Sequence, residues 1–202
     1  MNFLSHIYLS GNHEKMLVGN FMGDYVKGRD YMKYPEDIRN GILLHRQIDF
    51  YTDSHPLVKQ SKRRVEAQYR KYAGIVIDIF YDYFLSRNWM NYSDITLPDF
   101  IGEVHNLLRK HYEVFPQGIR NWFPNFIRNN WLQSYSTIEG IESVLHRMSS
   151  RTSLPEFTDY AIDVLRKEEE ELNNEFTQFF ADIREFVGEK YGIKTGCPFE
   201  AA

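Results

Sequence analysis

The chain has 202 residues, enough for one sizeable core, and it combines 43% hydrophobic with 26% charged residues. That balance is globular and excludes a disordered chain. The formal net charge of -4 argues against bulk attraction for nucleic acid and leaves only local basic patches to draw in an anionic partner. A single cysteine, Cys197, excludes an internal disulfide framework and fits a reducing compartment. The opening residues lack a basic region followed by an apolar run, so no signal peptide is expected. No segment reaches the ~20 apolar residues needed to cross a bilayer. The expectation is a cytoplasmic protein with no membrane and no nucleic-acid partner.

Strand patterns are absent, while helix patterns recur between Pro and Gly punctuation. A short helix is expected from Phe3 to Leu9, then a second from about Glu14 to Val26, ending at Gly28. Pro35 opens a third, with Glu36 and Asp37 in its first turn where the helix dipole favours acids. That helix ends before Pro56, which opens a basic helix through Tyr72. Gly74 separates it from an apolar helix, Ile75 to Leu85. Pro98 starts a helix through Leu108 and beyond. The segment from Pro116 to Tyr135 carries Trp122 and Trp131, with Pro124 breaking it into shorter turns. Helices follow from Thr137 to Met148 and from Pro155 to about Tyr191, the last running through a solvated acidic face at Glu168 to Glu171. With 15 Phe and 14 Tyr, the core should be built from large rings. The reading is all-α: a single helical bundle over 1–193 followed by a flexible tail, 194–202.

Two of these helices carry charge where a soluble core would not. Within Ile75–Leu85 the only charged residues are Asp78 and Asp82, four apart and therefore on one helical face. A helix that is apolar all round is normally buried. Two carboxylates buried on adjacent turns need a cation or strong donors. The plain structural alternative is that one caps a neighbouring helix and the other pairs with an Arg.

On the third helix, at about 100° per residue, Ile38, Ile42, His45, Asp49 and Asp53 share a stripe roughly 80° wide. His45 and Asp49 stand i,i+4, as do Asp49 and Asp53, which lets neighbours converge on one ion. Acids near a helix C-terminus oppose the dipole, so something must compensate them. Upstream, Asp24 follows Gly19-Asn20-Phe21-Met22-Gly23, whose glycines permit close approach of another backbone or a ligand. His6 interrupts an apolar turn. A mixed His/Asp set suits Mn²⁺ or Fe²⁺, and Mg²⁺, better than structural Zn²⁺. His13, His55, His105, His111 and His146 lack such company and read as surface or packing residues. The basic helix carries Lys59, Lys62, Arg63, Arg64, Arg70 and Lys71, a local positive patch directly after the His/Asp stripe. The plain alternative is an ordinary solvated face.

These residues, in order, bring a family into view. Met1-Asn2-Phe3-Leu4 with His6, Gly19-Asn20 with Asp24 and Gly28, and Gly41-Ile42 with His45-Arg46, Ile48-Asp49 and Thr52-Asp53 form the first part. Asp78 and Asp82 with Phe84-Leu85-Ser86-Arg87, then Trp131–Tyr135 and Met148-Ser149-Ser150-Arg151, continue it. The sequence resembles the acyl carrier protein phosphodiesterases over nearly its whole length. The resemblance implies a distorted relative of the all-helical, HD-type metal-dependent phosphohydrolases, and Mn²⁺-dependent removal of 4′-phosphopantetheine from holo acyl carrier protein. It implies a metal set of Asp24, His45, Asp49, Asp78 and Asp82. In the mechanism read from these residues Asp24, His6 and Arg46 take catalytic roles, Asp53 joins the metal and catalytic set or binds substrate, and Lys62, Arg63 and Arg64 of the basic helix dock the acidic carrier. No His is followed by Asp, so the hallmark doublet of the wider superfamily is missing and its ligands do not transfer one to one. The rival readings are a phosphohydrolase of small nucleotides and a non-enzymatic carrier-binding protein whose acids form an ion-pair cluster.

Overall fold

The structure, a computed structural model, describes residues 1–196, so Cys197 and all but the first three residues of the expected tail lie outside the described residues. Every regular element among the described residues is helical. Five long helices carry the architecture: α3 (Glu36–Ser54), α4 (Pro56–Tyr69), α5 (Ala73–Arg87), α6 (Leu97–Lys110) and α11 (Glu169–Tyr191). Shorter ones fill between them: α1 (Phe3–Tyr8), α2 (Glu14–Phe21), α7 (Gln117–Arg120), α8 (Phe123–Arg128), α9 (Ile138–Ser149) and α10 (Thr158–Lys167).

The helix ends follow local chemistry, and several differ from expectation. α2 stops at Phe21, and a 3₁₀ turn at Gly23–Tyr25 replaces the expected continuation to Val26. α4 stops at Tyr69 because Arg70 turns to a positive φ of 48°. Gly74 lies inside α5, where it is tolerated, and does not end a helix. Thr96 caps α6 by accepting from the Asp99 N–H, so that helix begins one residue before Pro98. The expected last helix is two, parted at Glu168. Its acidic run is only half solvated: Glu168 pairs with Arg64, and Glu169 accepts from Tyr83 and Arg87.

The core is aromatic, as the composition requires. Tyr81, Phe84, Phe176, Phe179 and Phe180 interlock between α5 and α11, and Trp122 stacks on Trp131 at 5.6 Å between ring centres. α5 is buried along most of its length and meets α1, α4, α9 and α11. The feature that positions the site is the contact of α2 with α3. A Cβ on Gly19 would stand 2.0 Å from the Ile38 carbonyl oxygen, and one on Gly41 would stand 2.0 Å from that of Met16. Glycine at both positions lets the two backbones touch, which brings Asn20 to the level of His45. No helix among the described residues is long and apolar enough to cross a membrane.

Candidate metal centre

His6 from α1 and His45 and Asp49 from α3 converge, each offering a ligand atom within 4.8 Å of the others. The two imidazoles stack at 4.0 Å with their planes 17° apart. His6 Nε2 lies 3.1 Å from Asp49 Oδ1, and His45 Nε2 lies 3.1 Å from Asp49 Oδ2 and 3.4 Å from Asp24 Oδ1. On their far sides, His6 Nδ1 is 2.8 Å from the Asn20 side-chain oxygen, and His45 Nδ1 is 2.9 Å from the Asn20 carbonyl. Gly23 leaves room for the His45 ring, since a Cβ there would sit 2.3 Å from its Cγ. The α1–α2–α3 corner therefore places both histidines, and the close approach that the two glycines allowed is to backbone at Gly19 and to an imidazole at Gly23.

The electrostatics of the cluster are set by burial and by its own acids. Each imidazole faces acceptors from both nitrogens, yet a neutral ring has only one hydrogen to give. Two rings 4.0 Å apart cannot both become cations cheaply. The protein splits the difference. Burial and then the neighbouring His45 push His6 down to about 4. Burial also opposes the charge on His45, but Asp24 and Asp49 outweigh it and raise the group to about 9. Asp49 is held well below the usual carboxylate range: burial works against this, and His45 and His6 overcome it. His45 Nε2 is buried, and its contacts with Asp24 and Asp49 lack hydrogen-bond geometry, so it has no hydrogen-bond partner. A divalent ion fits this donor set, because it satisfies both Nε2 lone pairs and the carboxylate at once.

The remaining expected site residues part company. Asp24 is largely exposed and stands beside His45 at the edge of the site. Asp78 faces a cleft of about 360 Å³ together with Met1, Asp24, Asp49 and Asp53, and its Oδ1 is 3.0 Å from the Met1 ammonium. Burial raises Asp78, with that ammonium opposing. The Met1 ammonium also lies 3.8 Å from Asp49, so a positive charge already bridges two of the acids.

Asp82 does not join them. It is fully buried, and its two oxygens accept from the backbone N–H groups of Leu4 and Ser5 at 2.8 and 3.1 Å, and from the Ser5 hydroxyl. Burial pushes it up to about 7, against the pull of those donors. Asp82 thus serves the free N–H groups of the first turn of α1, alongside the N-cap Asn2, and the capping alternative describes it better than the metal-ligand reading. Arg46, expected near the reacting phosphoryl group, instead donates to the Val26 carbonyl at 2.8 Å and lies over the Tyr31 ring.

The basic helix also divides. Arg64 turns inward to Glu168 and to the buried Glu175, so it belongs to the packing of α4 on α11 and not to a docking face. Lys62 bonds Asp53 at 2.6 Å. Arg63 is exposed, and with Lys59, Lys62, Arg70 and Lys71 it lines a groove of about 530 Å³ that shares Asp53, Ile75 and Asp78 with the acidic cleft. On its other side the cleft shares Asn2, Asp24 and Met148 with an aromatic groove of about 540 Å³ lined by Phe3, Tyr25, Trp122 and Trp131. Two residues escaped the sequence reading: Asn20 as the partner of both imidazoles, and Met1 through its ammonium. Asn20 left a signal, a lone amide inside the apolar run Leu17-Val18-Gly19-Asn20-Phe21-Met22.

Comparison with known proteins identifies the chain's family. A sequence model of the family described as acyl carrier protein phosphodiesterase matches residues 1–183. Proteins named acyl carrier protein phosphodiesterase match over 152 residues, 75% of this chain. Those of Yersinia enterocolitica and Yersinia pestis are 36% and 34% identical, with 79% of each relative covered. That of Photorhabdus laumondii is 36% identical, with 77% covered. No solved structure matches. With a match that takes in every residue of the His/Asp cluster and continues to α11, the chain belongs to the acyl carrier protein phosphodiesterase family.

Proposed function

We propose that the chain hydrolyses the phosphodiester joining 4′-phosphopantetheine to holo acyl carrier protein, with a divalent ion, Mn²⁺ first among candidates, held by His6, His45 and Asp49. Family membership supports the reaction. The observation that supports the metal reading is the convergence of His6, His45 and Asp49, with the buried His45 Nε2 facing Asp49 at 3.1 Å without hydrogen-bond geometry. Held by these residues, such an ion would lower the pKa of bound water and neutralise phosphoryl oxygens. The chain's own residues do the rest. Asp24, 3.4 Å from His45 Nε2, is close enough to complete the donor set. Asp78, held by the Met1 ammonium on the cleft wall, takes the proton of the attacking water. Both histidines are nearly enclosed, which keeps the local dielectric low and strengthens these interactions.

The reacting bond would lie between two unlike grooves. The basic one, beside α4, suits the acidic carrier, and the aromatic one suits the flexible arm. A carrier-protein enzyme of this kind would work in the cytoplasm, with its substrate. Intact-mass spectrometry of holo acyl carrier protein tests the reading, with Mn²⁺, with chelator, and with an Asp78→Ala variant. The expected result is loss of the 4′-phosphopantetheine mass with Mn²⁺ alone. An unchanged carrier mass from folded, metal-loaded protein would overturn it and direct attention to small nucleotides.

A further inference from the structure

We propose that Asn20 is a positioning residue that keeps a hydrogen on Nδ1 of both imidazoles, His6 and His45, and so leaves both Nε2 atoms as the ones that face the site and would meet a divalent ion. The inference deepens the reading that His6, His45 and Asp49 hold a divalent ion, and it rests on that reading for its consequence.

The hydrogen-bond network fixes the amide. Asn20 is fully buried. Its Nδ2 donates to the His6 carbonyl at 2.8 Å and to Ser10 Oγ at 2.9 Å. Ser10 spends its own hydrogen on the same His6 carbonyl, at 2.9 Å, so it can only accept from Asn20. Turning the amide over would set its oxygen against two oxygens with no hydrogen between them. Oδ1 therefore faces the histidines, 2.8 Å from His6 Nδ1 and 3.2 Å from His45 Nδ1, while the Asn20 carbonyl lies 2.9 Å from the latter. An amide oxygen and a backbone carbonyl only accept, so both Nδ1 atoms must carry hydrogen.

The competing acceptors are Asp49, 3.1 Å from each Nε2, and the largely exposed Asp24, 3.4 Å from His45 Nε2. Asp49 is partly open to water and has the Met1 ammonium nearby, whereas the buried Asn20 oxygen has only the rings. One residue on α2 thus sets the tautomer of a ring on α1 and another on α3, and serving both accounts for their stacking. Outer partners of metal-binding histidines fix the ring and raise its basicity, and their loss typically costs 10–100-fold in metal affinity.

The test is ¹⁵N–¹H spectroscopy of histidine-labelled protein, metal-free and loaded with diamagnetic Zn²⁺ or Mg²⁺, beside calorimetric Mn²⁺ binding. Hydrogen on Nδ1 of His6 and of His45 is expected in both states. Asn20→Ala should lose that pattern and weaken Mn²⁺ binding by about 10–100-fold. Asn20→Asp, which keeps an acceptor towards the rings but sets its second oxygen against the His6 carbonyl, should retain it at a cost in stability. Ser10→Ala loosens the amide's anchor without touching a ring, and should lower stability while keeping both tautomers. Either wild-type ring carrying hydrogen on Nε2 and none on Nδ1 would overturn the assignment. So would a folded Asn20→Ala protein with unchanged tautomers and affinity. If Asn20→Ala fails to fold, the wild-type and Asn20→Asp spectra decide. Correct tautomers in a wild type that binds no Mn²⁺ would uphold the role of Asn20 and sink the metal reading instead.

Discussion

α3 and α5 each carry an i,i+4 pair of metal-ligating residue types, and the two pairs meet opposite fates. His45 and Asp49 on α3 converge with His6 on a shared point. On α5, Asp78 reaches the cleft, while Asp82, one turn on, is consumed in capping α1. Spacing is the same in both helices. What differs is the element lying opposite: the His6 imidazole faces α3, and a helix N-terminus whose N–H groups lack intrahelical partners faces α5. A pair of carboxylates on one face therefore announces a need for positive charge, and a helix end meets that need as well as an ion does.

The sharpest way to break this comparison is to neutralise one acid from each helix. Asp49→Asn should cut turnover by more than about 100-fold with the fold intact, since even outer partners of metal ligands are worth 10–100-fold. Asp82→Asn should instead lose about 1–3 kcal/mol of stability by setting an amide N–H₂ against a helix N-terminus, while folded protein still binds Mn²⁺. Steady-state kinetics and urea titration, run on both variants, separate the two. Loss of metal binding in folded Asp82→Asn would return Asp82 to the site.

A second contrast lies within α4. Arg63 faces the basic groove, and its neighbour Arg64 faces Glu168 and Glu175. Arg63→Glu should raise KM for the carrier roughly tenfold in a salt-sensitive way, with kcat unchanged. Arg64→Ala should cost about 3 kcal/mol by leaving the buried Glu175 with only its neutral donors Gln60 and Ser61, with little change in KM for the protein that remains folded. An unchanged KM in Arg63→Glu would remove the docking role from this groove.

The smallest effect concerns the other buried histidine. His105 packs on Phe126 with its Nε2 unpartnered, as His45 Nε2 is, but without acids beside it. Burial, helped by Arg109, pushes it down to about 4, whereas His45 among acids rises to about 9. Between about 4 and its ordinary 6.5 the unfolded chain binds the His105 proton and the folded chain does not, so stability falls as pH drops through that window. In His105→Leu the decline between pH 6.5 and 4, followed by urea unfolding, should be shallower than in the wild type. An identical slope would mean that His105 is already protonated in the fold.

What the sequence determined by itself is what periodicity and punctuation control. The all-helical class, the order of the main helices, the aromatic core and the His45–Asp49 stripe follow from 3.6-residue spacing and from Pro and Gly, all of which act within a few residues of chain. Tertiary structure decided the rest, because the deciding partners are remote along the chain. Asp82 is claimed by Leu4, 78 residues away, and Arg64 by Glu175, 111 residues away. Asn20 gains its meaning only when α1 and α3 bring two imidazoles to its one oxygen. A helical repeat fixes which side chains share a face. Whether that face meets a helix end, a carboxylate or a site for an ion depends on how the helices pack, which no local pattern encodes.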